Sequence, residues 1–149
     1  MGARRDGRIV AVQTLYRYEL TGAPLQELLD FSWIDAPRRA TLPDGAIAFA
    51  TLIVTGCLEC LEEVDQVIRD NLAHWDLDRL ARVDLSLLRM GVYCLLHQPD
   101  IPASVTIDEA VAIARHFSGE DSYRFVNGVL DGAWRRLAAD ADRASSGAE

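Results

Sequence analysis

Cys57-Leu-Glu-Cys60 is the first stretch whose residue types and spacing point to chemistry. A CxxC is half of a zinc site or a redox pair. Zinc takes about four ligands, and no second Cys or His pair sits nearby in sequence. Both cysteines also fall on the apolar stripe of a predicted helix, where Cys acts as a small hydrophobe. The pair therefore reads as core packing, and no metal site is expected. His74, His97 and His116 are scattered without HxxxH or HxH spacing, and the chain has no nucleophile elbow, P-loop or GxGxxG. Thr106-Ile-Asp108-Glu109 reads as a capping box, with Glu three residues after Thr, better than as a catalytic dyad. No catalytic residue and no cofactor are expected, so the sequence does not support an enzyme.

Binding chemistry is better represented. On a helical wheel centred on Val126, the residues Leu130, Ala133 and Leu137 pack inward. Phe125 falls about 100° away, on a flank shared with Asp121, Gly128 and Gly132. Such a ring either closes the core edge or stacks on a nucleic-acid base, a contact worth about 1–3 kcal/mol. The two glycines weaken the helix by about 2 kcal/mol together, so something should need them small. All 15 basic residues are Arg, four of them within residues 1–18 (Arg4, Arg5, Arg8, Arg17) against Asp6 alone. Arginine grips phosphate bidentately and stacks on bases; codon bias in a GC-rich genome is the plainer source of the Arg usage. The net charge of −8 opposes nucleic-acid binding by the molecule as a whole. Acid gathers instead at Glu59, Glu62, Glu63, Asp65 and Asp70, against Arg69.

The elements that must position these groups are helical. Val83 to Leu96 is apolar nearly all round, as befits a helix buried by its neighbours. At about 21 Å it is too short for a hydrocarbon core of about 30 Å, and it carries Asp84 and Arg89. Helices are predicted at 4–20, stopped by Thr21-Gly22-Ala23-Pro24, at 25–33, and from an Asp44 cap to about Asn71. Gly56 in mid-helix implies a close crossing there. Residues 34–44 read as a loop, and 72–80, with Trp75, as a polar connection that can hold a short helix. Further helices start at a Thr106 cap and run from Asp121 to Leu137. The expected fold class is all-α, with seven or so helices in two small bundles sharing a long buried central helix. One domain is expected over 1–137, its bundles dividing near 71/72, followed by a flexible tail at 138–149. No run resembles a signal peptide or a membrane span, and the odd set Cys57, Cys60 and Cys94 suits reduced thiols, so a cytoplasmic location is expected.

Phe125-Val-Asn-Gly-Val-Leu-Asp131, preceded by Pro102…Thr106-Ile-Asp-Glu-Ala-Val111 and Phe117-Ser-Gly-Glu-Asp-Ser122, resembles the C-terminal signature of the transcription antitermination factor NusB family. Arg4-Arg5…Ala11-Val-Gln-Thr-Leu-Tyr16 is similar to its first helix, and Val83 to Tyr93 to its central one. The likeness covers about residues 3–137. It implies binding of the boxA element of ribosomal RNA leader transcripts, jointly with ribosomal protein S ten (NusE), in an antitermination complex on RNA polymerase. By position, Arg4, Arg5 and Arg8 would hold phosphates, and Phe125, with Tyr16 or Tyr123, would stack on unpaired bases. Asp121 and Asn127 would meet base edges. Asp84 would contact the ribosomal partner, with Asp76, Asp78 and Asp100 as further partner-facing acids. Asp6 and Gly7 interrupt the basic start, so three phosphate contacts would give a single-strand salt slope of only about −2; the acidic bulk would then hold a cationic helper that completes the RNA surface. Two other readings stand beside this one. The first is the NusB-like module of RNA cytosine methyltransferases, whose chains continue into a catalytic domain where this one stops at Glu149. The second is a protein-interaction adaptor or homodimer with a masked RNA surface.

Overall fold

The computed structural model describes residues 2–73 and 76–147, so His74 and Trp75 lie outside it. The described residues form eight α-helices and one 3-10 turn, with no strand. The order is α1 (Ala3–Thr21), α2 (Leu25–Leu28), α3 (Ala36–Thr41), α4 (Ala46–Glu59), α5 (Leu61–Asp70), the 3-10 turn (Leu77–Arg79), α6 (Arg82–His97), α7 (Ala103–Phe117) and α8 (Glu120–Gly147). No described helix is long and apolar enough to cross a membrane.

The central helix is where its composition places it. Every residue of α6 from Leu85 to Cys94 is buried, and α1, α4, α5, α7 and α8 all pack on it. Gly91 admits α8, since a Cβ there would stand 2.8 Å from Leu130 Cδ1. Gly56 admits Tyr93 of α6 in the same way, its ring and hydroxyl filling the space a Cβ would need. Burying a helix all round also buries its polar residues. Arg89 answers this by donating from Nε and Nη2 to Asp65 of α5 (2.9 and 3.0 Å) and from Nη1 to Glu19 of α1 (2.7 Å). Burial opposes the Arg89 charge, but the bonds to Asp65 and Glu19 outweigh it and hold the guanidinium more firmly protonated than usual.

Local chemistry sets the helix ends, in several places differently from expectation. Gly22 caps α1 at φ 63°, returning its N–H to Tyr18 O, as the Thr-Gly-Ala-Pro run predicts. The second helix stops at Leu28 instead of reaching Trp33, because Asp30 takes the Ser32 N–H (2.8 Å) and Phe31 turns inward at φ 54°. Residues 34–44 are not a plain loop: Asp35 caps α3 by accepting from Arg38 N (2.8 Å), with Pro37 in the first turn. Gly45 at φ 88°, and not Asp44, stands at the start of α4. The long third helix breaks at Cys60 (φ −119°, ψ 33°) into α4 and α5. The Thr106 capping box does not form, because α7 begins at Ala103 after Pro102, leaving Thr106 inside the helix and buried. Residues 138–147, expected as tail, continue α8.

Candidate nucleic-acid interface

The amino end of α1 carries Arg4, Arg5 and Arg8 in its first two turns, and each finds a different setting. Arg4 is exposed, its guanidinium 5.9 Å from the centre of the Phe49 ring of α4. Arg5 grips Glu109 of α7 with two bonds, Nε to Oε2 at 2.5 Å and Nη2 to Oε1 at 2.9 Å. That hydrogen-bonded pairing pulls the Glu109 carboxyl below its usual range against the opposing effect of burial. Arg8 is only 2% exposed, lies 5.3 Å from the same Phe49 ring, and has Nε and Nη2 without hydrogen-bond partners among the described residues. Burial lowers its pKa. The expected row of surface guanidiniums is therefore one exposed, one tied down and one buried. All three nevertheless line one depression with Gly2, Val105 and Glu109. Gly7 has a structural reason: a Cβ there would meet Ala46 O at 2.9 Å and Phe49 at 3.0 Å. The gap in the basic start is what lets α4 and its aromatic platform approach α1.

From this end a strip runs along α1 and α7 side by side. Ile9, Val12, Gln13, Tyr16 and Arg17 of α1 share a groove with Trp33, Val83, Ile113 and Phe117. Tyr16 is half-buried in it. Phe117 is 47% exposed, with the His116 ring edge-on at 4.7 Å. Glu109 to Phe117 is eight residues of helix, or about 12 Å, so the arginine end and the start of α8 lie on one continuous surface some two turns long.

At the far end, α7 hands over to α8 beside the start of α6. Asp84 accepts the Ser122 hydroxyl, and Asp84, Ala81, Val83 and residues 118–122 form a shallow pocket. Phe125 is half-buried against the core edge. One side of it lines a second pocket with Arg79, Leu80, Ala81 and Asp84. The ring is neither sealed in nor free. It stands beside the acid expected to serve the protein partner, so the expected RNA and partner groups meet here. Two guanidiniums lie near the Tyr123 ring, Arg115 at 4.3 Å and Arg124 at 5.9 Å from its centre. The hydrogen bond with Arg124, followed by Arg115, lowers its phenol pKa. Asp121 and Asn127 are exposed. Among the described residues nothing lies within 4 Å of a Cβ at Gly128, whereas a Cβ at Gly132 would meet Asn71 Oδ1 at 3.1 Å. Asp76 and Asp78 are exposed around the 3-10 turn before α6, while Asp100 follows its opposite end. The 16 residues of α6 span about 24 Å, so Asp100 does not share a surface with Asp84. Sequence reasoning missed Arg115, Phe117 and Arg124, though a basic residue next to an exposed aromatic at a helix end was a readable signal.

An all-helical scaffold with a cationic depression at one end of a strip and an aromatic–acid seam at the other defines a class: a helical binding protein whose work is recognition. Residues 5–135 match the NusB family. The chain is 44% identical to transcription antitermination protein NusB of Treponema denticola over 86% of this chain and 93% of that one. It is 40% identical to the NusB of Sorangium cellulosum over 96% and 100%. Its fold superimposes on T. maritima NusB with a TM-score of 0.78 at 35% identity, covering 89% and 90% of the two chains. A chain from the crystal structure of antitermination factors NusB and NusE in complex with dsRNA matches with a TM-score of 0.75 at 26% identity over 91% and 98%. This chain belongs to the NusB family. Its relatives are named for transcription antitermination and not for an enzymatic reaction.

Proposed function

We propose that this protein is an RNA-binding transcription antitermination factor, taking boxA-type single-stranded RNA of ribosomal RNA leader transcripts together with ribosomal protein S ten (NusE). It acts in the cytoplasm, in an antitermination complex on RNA polymerase. The observation that carries the reading is the match along nearly the whole chain to a protein solved with NusE and RNA, joined to a strip that offers guanidiniums and rings in series. Arg4 and Arg5 hold phosphates at the amino end, and the unpaired donors of Arg8 back the same depression. Tyr123, with Arg115 and Arg124 near its ring, and Tyr16 in its groove supply stacking surfaces, and Asn127 meets base edges. Phe125 and Asp84 form the seam where RNA and the ribosomal partner adjoin, with Asp76 and Asp78 on the partner's side. The charge of −8 suits a cationic protein partner better than RNA alone. Division of the chain near residue 71 into two bundles belongs to the same proposal.

The test is a titration of boxA RNA with the protein alone and beside NusE, at two salt concentrations. Binding is expected to be weak alone, with a salt slope of about −1.4 for the two phosphates held by Arg4 and Arg5, and strong beside the partner. Phe125→Ala should lose about 1–3 kcal/mol of RNA binding with the helical content kept. Asp121→Asn removes an exposed negative charge from the strip and should tighten RNA binding. A protein that runs as a dimer on gel filtration and ignores boxA even beside NusE would overturn the proposal in favour of an adaptor.

A further inference from the structure

The break between α4 and α5 has a consequence at the opposite end of α6 from Asp84. Cys60 leaves helical geometry, which turns α5 so that Glu63, one turn on, faces the last residue of α6, His97. Glu63 Oε1 lies 2.8 Å from His97 Nε2. The Cys60 Sγ, a Glu63 carboxylate oxygen and a His97 ring nitrogen all lie within 4.8 Å of one another. Thiolate, imidazole and carboxylate are the three donor types that zinc accepts together, at about 2.3 Å for sulfur and about 2.0–2.2 Å for nitrogen and oxygen. Donors around a tetrahedral ion of those bond lengths stand about 3.3–3.6 Å apart, so closing the triad on an ion needs shifts of an ångström or so.

The surroundings favour that ion. Glu63 and His97 keep side-chain exposures of 53% and 42%, so metal can reach them. The Tyr93 ring, 5.3 Å from the His97 ring, holds the imidazole in place. Glu59 and Glu62 are exposed on the same turns, adding negative potential. Cys57 takes no part because it is buried, whereas Cys60 is half-buried and donates its S–H to Gly56 O at 3.1 Å, a bond that the metal would replace. The CxxC spacing thus misdirects, since one of its cysteines packs in the core while the other pairs with ligands from elsewhere.

We propose that Cys60, Glu63 and His97 form a zinc site with one coordination position open to water, clasping the start of α5 to the end of α6. On binding, the Cys60 S–H bond breaks, the proton passes to buffer, and the sulfur lone pair forms the bond to the metal, with no change of oxidation state.

The test is a titration of tag-free, reduced full-length protein with Co2+, then displacement by Zn2+. One equivalent of Co2+ should bind with a thiolate-to-cobalt charge-transfer absorption, and Zn2+ should abolish that band. Cys60→Ser should remove the band. Replacing even an outer-shell partner weakens metal binding by about 10–100-fold, so His97→Gln should weaken it at least about tenfold. Cys57→Ala should leave both signals in place. Excess Zn2+ should raise the Tm of the wild type, because a ligand bound only to the folded state stabilises it, and should not raise that of Cys60→Ser. Absence of stoichiometric uptake, a band that persists in Cys60→Ser, or an equal Zn2+ response in both proteins would overturn the site and leave an ordinary His97–Glu63 hydrogen bond.

Discussion

Arg89 and Arg8 are both buried arginines, and they divide the molecule into two kinds of region. Around Arg89, three helices converge on one guanidinium, with Asp65 and Glu19 consuming Nε, Nη1 and Nη2. Around Arg8, an aromatic ring takes the place of a carboxylate, and two donors stay unspent beside a depression open to solvent. A buried charge with every partner supplied from within belongs to the scaffold. One without hydrogen-bond partners among the described residues is, in the proposed RNA strip, the group that RNA would complete at the amino end of α1.

The sharpest way to break this contrast is to make the same change at both positions. Arg89→Met leaves Asp65 buried without its cation and should cost about 3–5 kcal/mol of stability, read from urea denaturation midpoints. Arg8→Met removes donors that already lack partners, and the lost ring contact is offset by relief of desolvation. Its stability should stay within about 1 kcal/mol of the wild type, while boxA binding beside NusE falls. Equal losses from the two variants would erase the distinction.

A smaller effect separates the packing of the two ends of the strip. Gly7→Ala sets a methyl 2.9 Å from Ala46 O, a backbone atom with no freedom to swing aside, and 3.0 Å from Phe49. Overpacking of about 1–3 kcal/mol, less about 1 kcal/mol of gained helix propensity, should leave a net loss of about 0–2 kcal/mol and move the platform under Arg4 and Arg8. Gly128→Ala meets nothing within 4 Å among the described residues and should gain about 0.5–1 kcal/mol. Thermal unfolding of the two variants reads both signs at once; stabilisation by Gly7→Ala would mean that α1 and α4 are not held at that distance.

The buried helix over 83–96 was legible because its apolar residues cover the whole circumference, and that single pattern forces the surrounding helices. Gly56 was legible for the same reason, as a helix-weakening residue that needs a neighbour close by, and Tyr93 is that neighbour. Helix ends were less legible. Thr106 and Glu109 have capping-box spacing, but Glu109 is engaged by Arg5, far away in sequence, and local spacing cannot show a long-range claim on the same side chain. The Cys60 break was invisible because the apolar period runs on through it. The arginine start, Asp84 and Phe125 could be named from their motifs. Their settings could not, since the burial of Arg8 depends on Phe49 and the position of Phe125 beside Asp84 depends on how α6 meets α8.

The Arg5–Glu109 pair lies between the two kinds of region, half-exposed and matched, and it gives the smallest effect. Its hydrogen bonds hold the Glu109 carboxyl below its ordinary value of 4.5 in the folded protein. The tie is therefore fully present above that value and is lost as pH falls through the lower folded value, because the unfolded chain takes up its proton first. A pair this exposed contributes about 0.2–1 kcal/mol, so Glu109→Gln should lose that much at pH 7. The deficit should vanish in acid and shrink in about 1 M salt, where screening acts within about 3 Å. A deficit that survives acid would place the contribution of Glu109 in packing or a neutral hydrogen bond. RNA binding should move the other way, because a neutral amide in place of the carboxylate holds Arg5 less tightly and leaves more of its fork for phosphate. One substitution that weakens the fold while tightening boxA binding would show that this carboxylate competes with RNA for the same guanidinium.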